Sequence, residues 1–297
     1  MGRISSVKLF FVVFLCMFIF SSCKESRETH IARLVEEWSG REIRFPGEAV
    51  FTVQGGDTVA APAADAPYKV LVYVDSVGCM SCRLQLPRWK ELMAEADSLV
   101  PGKVAFHFYL HPKDVREMAY ILRRDAFRHP VCIDTEGALD ALNHFPGEDA
   151  FQTFLLGADN RVLAIGNPVH NPKVKELYFS MLTGRKQAAP AATTTVSLDR
   201  EVVELGTFAW DKVKTDSLFI ANTGDRPFVI RDVVTNCGCL QARFDKRPAR
   251  PGERTKLTIT YRADHPEVVE KMLHIYGNVE GEKLDVRITG EAREGVR

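Results

Sequence analysis

The chain has 297 residues, 45% hydrophobic and 26% charged, with 39 Lys+Arg balanced by 39 Asp+Glu. That length fits two domains, and that composition excludes a fibrous or wholly disordered chain. A balanced charge offers no basic excess, so no nucleic-acid partner is expected.

The chain opens with Arg3 and Lys8, and Leu9–Phe20 follows as an unbroken apolar run. The run is short for a membrane span and fits the core of an export signal. Ser21-Ser22-Cys23 after it resembles the lipobox of bacterial lipoproteins, with Phe20 where leucine is usual. That resemblance implies a signal peptide over 1–23, lipidation of Cys23, and a protein anchored to a membrane of the cell envelope. An uncleaved anchor and an ordinary secretory signal are the alternatives. Outside the cytoplasm disulfides persist, so the cysteines beyond Cys23 bear on function.

Residues 24–67 read as a lead-in and linker. Ile31, Leu34, Val35 and Trp38 fall at helical spacing and Gly40 stops the helix. Glu42–Val53 alternates as a weak strand pair before Gly55-Gly56-Asp57, and Ala60–Pro67 is a loop. Over 68–183 strands and helices alternate. Strands are expected at Lys69–Val74, Val104–Leu110, Val131–Ile133, Thr153–Leu156 and Arg161–Ile165. Helices are expected at Leu84–Leu99, Lys113–Arg124, Thr135–Asn143 and Val174–Leu182. That order predicts an α/β domain.

Residues 184–195 form a second linker. In 196–297 helical periodicity vanishes. Strand-like runs appear at Ser197–Leu205, Lys212–Asn222, Phe228–Thr235, Arg254–Tyr261, Glu270–Gly277 and Lys283–Glu291, separated by Gly, Pro, Asn and Asp. They predict an all-β sandwich.

Two cysteine motifs carry chemistry. Cys79-Met80-Ser81-Cys82 lies between a predicted strand and a predicted helix. The helix N-terminus favours a thiolate on Cys79, with Arg83 close by, and Cys82 is spaced to resolve a mixed disulfide. A static or inactive pair is the alternative. One Cys-x-x-Cys supplies two ligands where zinc wants four, so neither a metal nor a cofactor is expected there. His107 and His111 form no recognisable ligand set and read as core or surface residues. Cys132 sits in an apolar strand and reads as a buried free thiol.

The strand–Cys-x-x-Cys–helix unit, Pro87 five residues after Cys82, and the Thr153–Ile165 hairpin before a last helix resemble the thioredoxin superfamily, especially TlpA/ResA-like proteins. The resemblance spans the 68–183 domain and implies a thiol-disulfide oxidoreductase with Cys79 and Cys82 as its catalytic pair. Three positions depart from that pattern. Gly78 stands where a bulky residue is usual, Tyr73 stands at the buried acid's place, and Phe151 at the cis-proline's.

Cys237-Gly238-Cys239 is the second motif. Residues at i and i+2 of a strand point to opposite faces, but Gly238 permits a bend bringing both sulfurs together. A tight disulfide, a soft-metal site for Cu(I), a partner site, and two small packing residues all stay open. Asn222-Thr223-Gly224-Asp225, Cys-Gly-Cys and Pro251-Gly252-Glu253, in that order, resemble a bacterial envelope family of unknown function. Its fold is immunoglobulin-like and related to ASH/MSP and PapD modules.

Three functions are therefore weighed. The first is a membrane-anchored oxidoreductase-like lipoprotein exchanging disulfides with a protein partner, in which Cys237 and Cys239 exchange with the Cys79 pair. The second is a non-catalytic envelope binding or assembly protein. The third handles metal through Cys-Gly-Cys.

Overall fold

A computed structural model of the chain describes residues 26–77, 83–186, 192–235 and 237–295. Helix α1 (Arg27–Trp38) belongs to an N-terminal unit of its own. Ser26 caps it, its hydroxyl accepting from the Thr29 N–H at 3.1 Å. The remainder, Gly40–Arg297, is one compact unit. Among the described residues no helix is long and apolar enough to cross a membrane.

The α/β part of this unit is built on β3 (Tyr68–Val74) and β4 (Val104–Leu110), which pair in parallel over their full lengths. Their sequences are near-continuous apolar runs, as strands covered on both faces require. Lys69 is buried within β3 because its ammonium donates to the Ala158 carbonyl and to Asn160 Oδ1, at 2.9 and 2.8 Å. β5 (Val131–Ile133) extends the sheet in parallel beyond β4. On the other side, β6 (Thr153–Gly157) and β7 (Val162–Ile165) form an antiparallel hairpin beside β3.

The segment read as lead-in also contributes strands. β1 (Phe51–Thr52) and β2 (Thr58–Val59) form a short hairpin on the far edge, with Phe51 opposite Cys132. The order is β2-β1-β5-β4-β3-β6-β7. The β4-β3-β6-β7 portion, parallel then antiparallel, is a thioredoxin-like core.

Helix α2 (Leu86–Leu99) packs Trp89 edge-on against Phe106 and Phe108, with ring centroids 6.4 and 5.3 Å apart. Helices α3 (Val115–Arg124) and α5 (Pro172–Thr183) are capped by Asp114 and Asn171, and α4 (Ala138–Asn143) is a single short piece. The expected helix over Leu84–Leu99 is not continuous. Arg83 and Leu84 are helical, Gln85 adopts φ 43°, ψ 48°, and the helix restarts at Leu86. Pro87 explains the break, since it has no N–H and its ring clashes with a helical carbonyl four residues back.

The second part is a sandwich. One sheet orders β8 (Val196–Leu198), β10 (Lys214–Asn222), β13 (Arg254–Tyr261) and β12 (Leu240–Phe244) side by side. The other runs β11 (Ile230–Thr235), β14 (Glu267–Gly277), β15 (Lys283–Arg293) and β9 (Val202–Ala209). Along β13, Thr255, Leu257, Ile259 and Tyr261 point inward and are buried, the period-two pattern of a half-covered strand. The expected single strand over Ser197–Leu205 is split into β8 and β9, and β12 adds a strand the sequence pattern does not announce.

Candidate functional site

Cys79 and Cys82 lie outside the described residues, as does Cys23. The chain on either side of 78–82 is described, and it is tied together. Asp75, one residue past β3, accepts from the Val77 N–H at 2.8 Å. Arg83 turns back and donates to the Asp75 carboxylate, to the Asp75 carbonyl at 3.1 Å and to the Val77 carbonyl at 2.6 Å. Its other nitrogen donates to Gln152 Oε1 at 2.6 Å, and Gln152 Nε2 donates to Asp75 Oδ2 at 2.8 Å.

Asp75, Arg83 and Gln152 thus close a ring that pins both ends of the Cys-x-x-Cys segment to the end of the central strand. Gln152 follows Phe151, where the thioredoxin pattern places its proline. Burial pushes the Asp75 carboxyl up, but the bonds from Arg83, Gln152 and Val77 outweigh it and hold it below the ordinary value. The Arg83 charge is therefore largely answered by Asp75, which leaves less of it for a thiolate on Cys79.

Tyr73, at the position where the thioredoxin pattern places its acid, is buried at 3% exposure, and its ring lies 5.0 Å from that of Phe145. Burial, with Asp140, Asp75 and Asp134 nearby, raises its pKa. His111 Nδ1 sits 3.5 Å from the Tyr73 hydroxyl. Cys132 is a buried free thiol on β5, pushed up to about 11 by burial first and by Asp134 second. His107 is buried on β4 and joins no metal-binding group among the described residues.

Cys237 and Cys239 are joined in a disulfide, with Cα atoms 5.2 Å apart. They occupy the corner where the chain leaves β11 in one sheet and enters β12 in the other. Three bonds shape the corner: Thr235 Oγ1 donates to the carbonyls of Cys237 and Leu240 at 2.9 and 3.1 Å, and the Arg262 N–H donates to the Cys239 carbonyl at 2.9 Å. With both sulfurs in one bond, neither is a thiolate available to Cu(I).

The bond closes so small a loop that its removal costs about 1.5 kcal/mol of chain entropy. The sandwich is accordingly expected to stay folded after reduction, and retention of the native near-UV circular dichroism in dithiothreitol checks this.

The α/β part holds this corner directly. Freed by the helix break, the Gln85 side chain donates to the Thr235 carbonyl at 2.6 Å. One turn on, Arg88 donates to Asp232 Oδ2 at 2.7 Å and to the Val233 carbonyl. The disulfide is therefore held beside the helix that follows the Cys-x-x-Cys.

Residues 196–292 match a family described as a protein of unknown function, DUF1573. This match covers the sandwich. No curated protein matches the chain. A candidate thiol-disulfide oxidoreductase of Bacteroides vulgatus is similar at 20% identity and TM-score 0.35, over 47% of this chain and 90% of that one. The ASH/PapD-like domain of human CEP192 is similar at 10% identity and TM-score 0.32, over 37% of this chain and 94% of that one. A Porphyromonas gingivalis W83 protein of unknown function is similar at 18% identity and TM-score 0.31, over 35% of this chain. The chain spans about half of that protein's length (49%).

The sequence pattern did not single out Asp75, Gln85, Arg88 or Gln152 as site residues. Their partners are distant in sequence, and each reads alone as a surface polar residue. Only the αL break before Pro87 had a local signal.

Proposed function

We propose that the chain is a lipid-anchored thiol-disulfide exchange protein of the bacterial cell envelope, working through Cys79 and Cys82. A Cys79 thiolate attacks a partner disulfide, displacing one partner sulfur as a thiolate. The Cys82 thiolate then attacks the Cys79 sulfur, releasing the second partner sulfur and leaving the Cys79–Cys82 disulfide. The partner is oxidised on the same route run backward. The observation that carries this reading is the Gln85 bond to Thr235. It keeps a second disulfide, Cys237–Cys239, next to the helix that follows the pair, as an in-chain exchange partner. The Cys23 lipid would restrict encounters to the membrane surface.

Replacing Cys82 by serine is expected to leave Cys79 in mixed disulfides, visible as reducible adducts on non-reducing gels and absent from Cys79→Ser/Cys82→Ser. No adducts in the single variant sinks the reading. Fatty-acid labelling that survives in Cys23→Ser sinks the anchor.

The neutralised Arg83 and Phe151 at the proline position favour a second reading, a non-catalytic binding protein of the envelope. Insulin reduction by the full chain above that of the double serine variant decides against it.

A further inference from the structure

The Cys237-Gly238-Cys239 corner has two unlike sides. Cys237 lines a recess of about 60 Å³ walled by Gln85 and Arg88. Cys239 lines a cleft of about 580 Å³ between α2 and the sandwich. Within the cleft Arg124 is answered by Asp125 and Asp264. Lys90, Arg243 and Arg262 then stand against Glu91, and all four are exposed. Arg243 and Arg262 have no carboxylate partner among the described residues. The cleft is therefore cationic on balance, and such a cleft gathers anions, thiolates included.

The two sulfurs also differ in their hydrogen bonding. The Cys239 N–H donates to Cys237 Sγ at 3.0 Å. A donor aimed at sulfur stabilises charge there, so Cys237 is the better leaving group and Cys239 the sulfur to attack.

We infer that Cys237–Cys239 is a second redox centre, opened by an anionic thiol that enters this cleft and attacks Cys239. The incoming thiolate forms a bond to Cys239 Sγ. The Cys237–Cys239 bond breaks, and its electron pair goes to Cys237 Sγ as a thiolate beside the Cys239 N–H. A second thiolate attacks the incoming sulfur, forming the external disulfide and releasing Cys239 as a thiolate. Two external thiols are oxidised to one disulfide, one protein disulfide is reduced to two thiols, and two protons pass from the former to the latter. The shared chemistry of the ligand is a thiol flanked by carboxylates, free or carried on an acidic peptide.

The test uses the full chain carrying Cys79→Ser/Cys82→Ser, so its outcome is independent of the Cys79–Cys82 reading. The probes are reduced glutathione, an acidic cysteine peptide and the cationic thiol cysteamine. After brief exposure and quenching with N-ethylmaleimide, peptide masses are expected to place the thiol adduct on Cys239 and the maleimide on Cys237. Adducts chiefly on Cys237, or no opening of the bond, overturn the inference. The ratio of glutathione to cysteamine rates is expected to fall by about tenfold in Arg243→Glu/Arg262→Glu. It should also fall with added salt. A ratio unchanged in the folded variant overturns the role of the cleft. Faster reaction with glutathione than with the peptide supports a small thiol in the cleft, and the reverse supports a peptide-borne one. The adduct position is read without any cleft variant, so misfolding of that variant leaves it decisive.

Discussion

Acidification from pH 6.5 to pH 4 is expected to cost the chain about 3 kcal/mol for each of two histidines, His107 and His170. His107 sits on β4 at 5% exposure, with the Phe45 and Phe51 rings 5.6 and 6.4 Å away. Its Nε2 has no hydrogen-bond partner among the described residues. Burial pushes its pKa down to about 4, against a partial opposing effect of the Ala63 backbone. His170 is likewise down to about 4, by burial first, with Asp149 pulling the other way and Arg88 and Arg83 adding to the fall.

In both cases the unfolded chain binds more protons than the folded one between pH 6.5 and 4. Stability is therefore complete above the unfolded value and is lost as pH falls through that window. Asp75, held below the ordinary carboxylate value, adds its own loss only below about pH 4. Urea midpoints at pH 7 and pH 4.5 measure the drop. In His107→Leu, which keeps an apolar body among the two phenylalanines, about half of it should disappear. A drop of full size in that variant would remove His107 from the account.

What the sequence disclosed follows from how local each signal is. β4, β5 and β13 were legible to the residue because burial writes itself into consecutive or alternating apolar positions. β1 and β2 were not, since two-residue edge strands carry too little pattern to separate from a loop. β12 was missed because Leu240–Phe244 alternates with Gln241 and Arg243 immediately after a tight corner, and the cysteine motif masked its start. Both cysteine pairs were visible as motifs, while their setting was not. The ring of Asp75, Arg83 and Gln152 joins residues 77 apart in sequence at its widest. Likewise Gln85 reaches a carbonyl 150 residues away. Backbone carbonyls such as that of Thr235 have no residue-type signature, so no spacing rule could have found them. Pro87 is a local cause of the helix break, although the apolar spacing predicts one continuous helix over Leu84–Leu99, and the consequence lay in which side chain the break released.

Arg88 and Arg124 clamp the α/β part to the sandwich, and removing both is expected to let the two parts melt separately. Each part has its own buried core, one around Trp89, Phe108 and Phe127, the other around Tyr261, Leu273 and Val286. Each could in principle unfold alone. Arg88 of α2 pairs with Asp232 on β11, and both side chains are mostly buried, at 21% and 16% exposure. Arg124, 8% exposed at the end of α3, pairs with Asp125 and reaches across to Asp264. Deleting one member of a buried pair leaves its partner desolvated and unanswered, at a cost of several kcal/mol.

Because Asp232 and Asp264 keep some access to water, about 3 kcal/mol for each arginine is the expected size, toward the low end. Calorimetry of the unaltered chain should give one transition for Gly40–Arg297, and Arg88→Ala/Arg124→Ala should give two. A single transition in that variant would show that the remaining contacts couple the parts without the clamps. The separation also bears on chemistry. Gln85 alone would then hold the Cys237–Cys239 corner beside α2, so exchange between the two cysteine pairs should slow. Opening of the same disulfide by an external thiol needs only the corner and its cleft arginines, and should slow less.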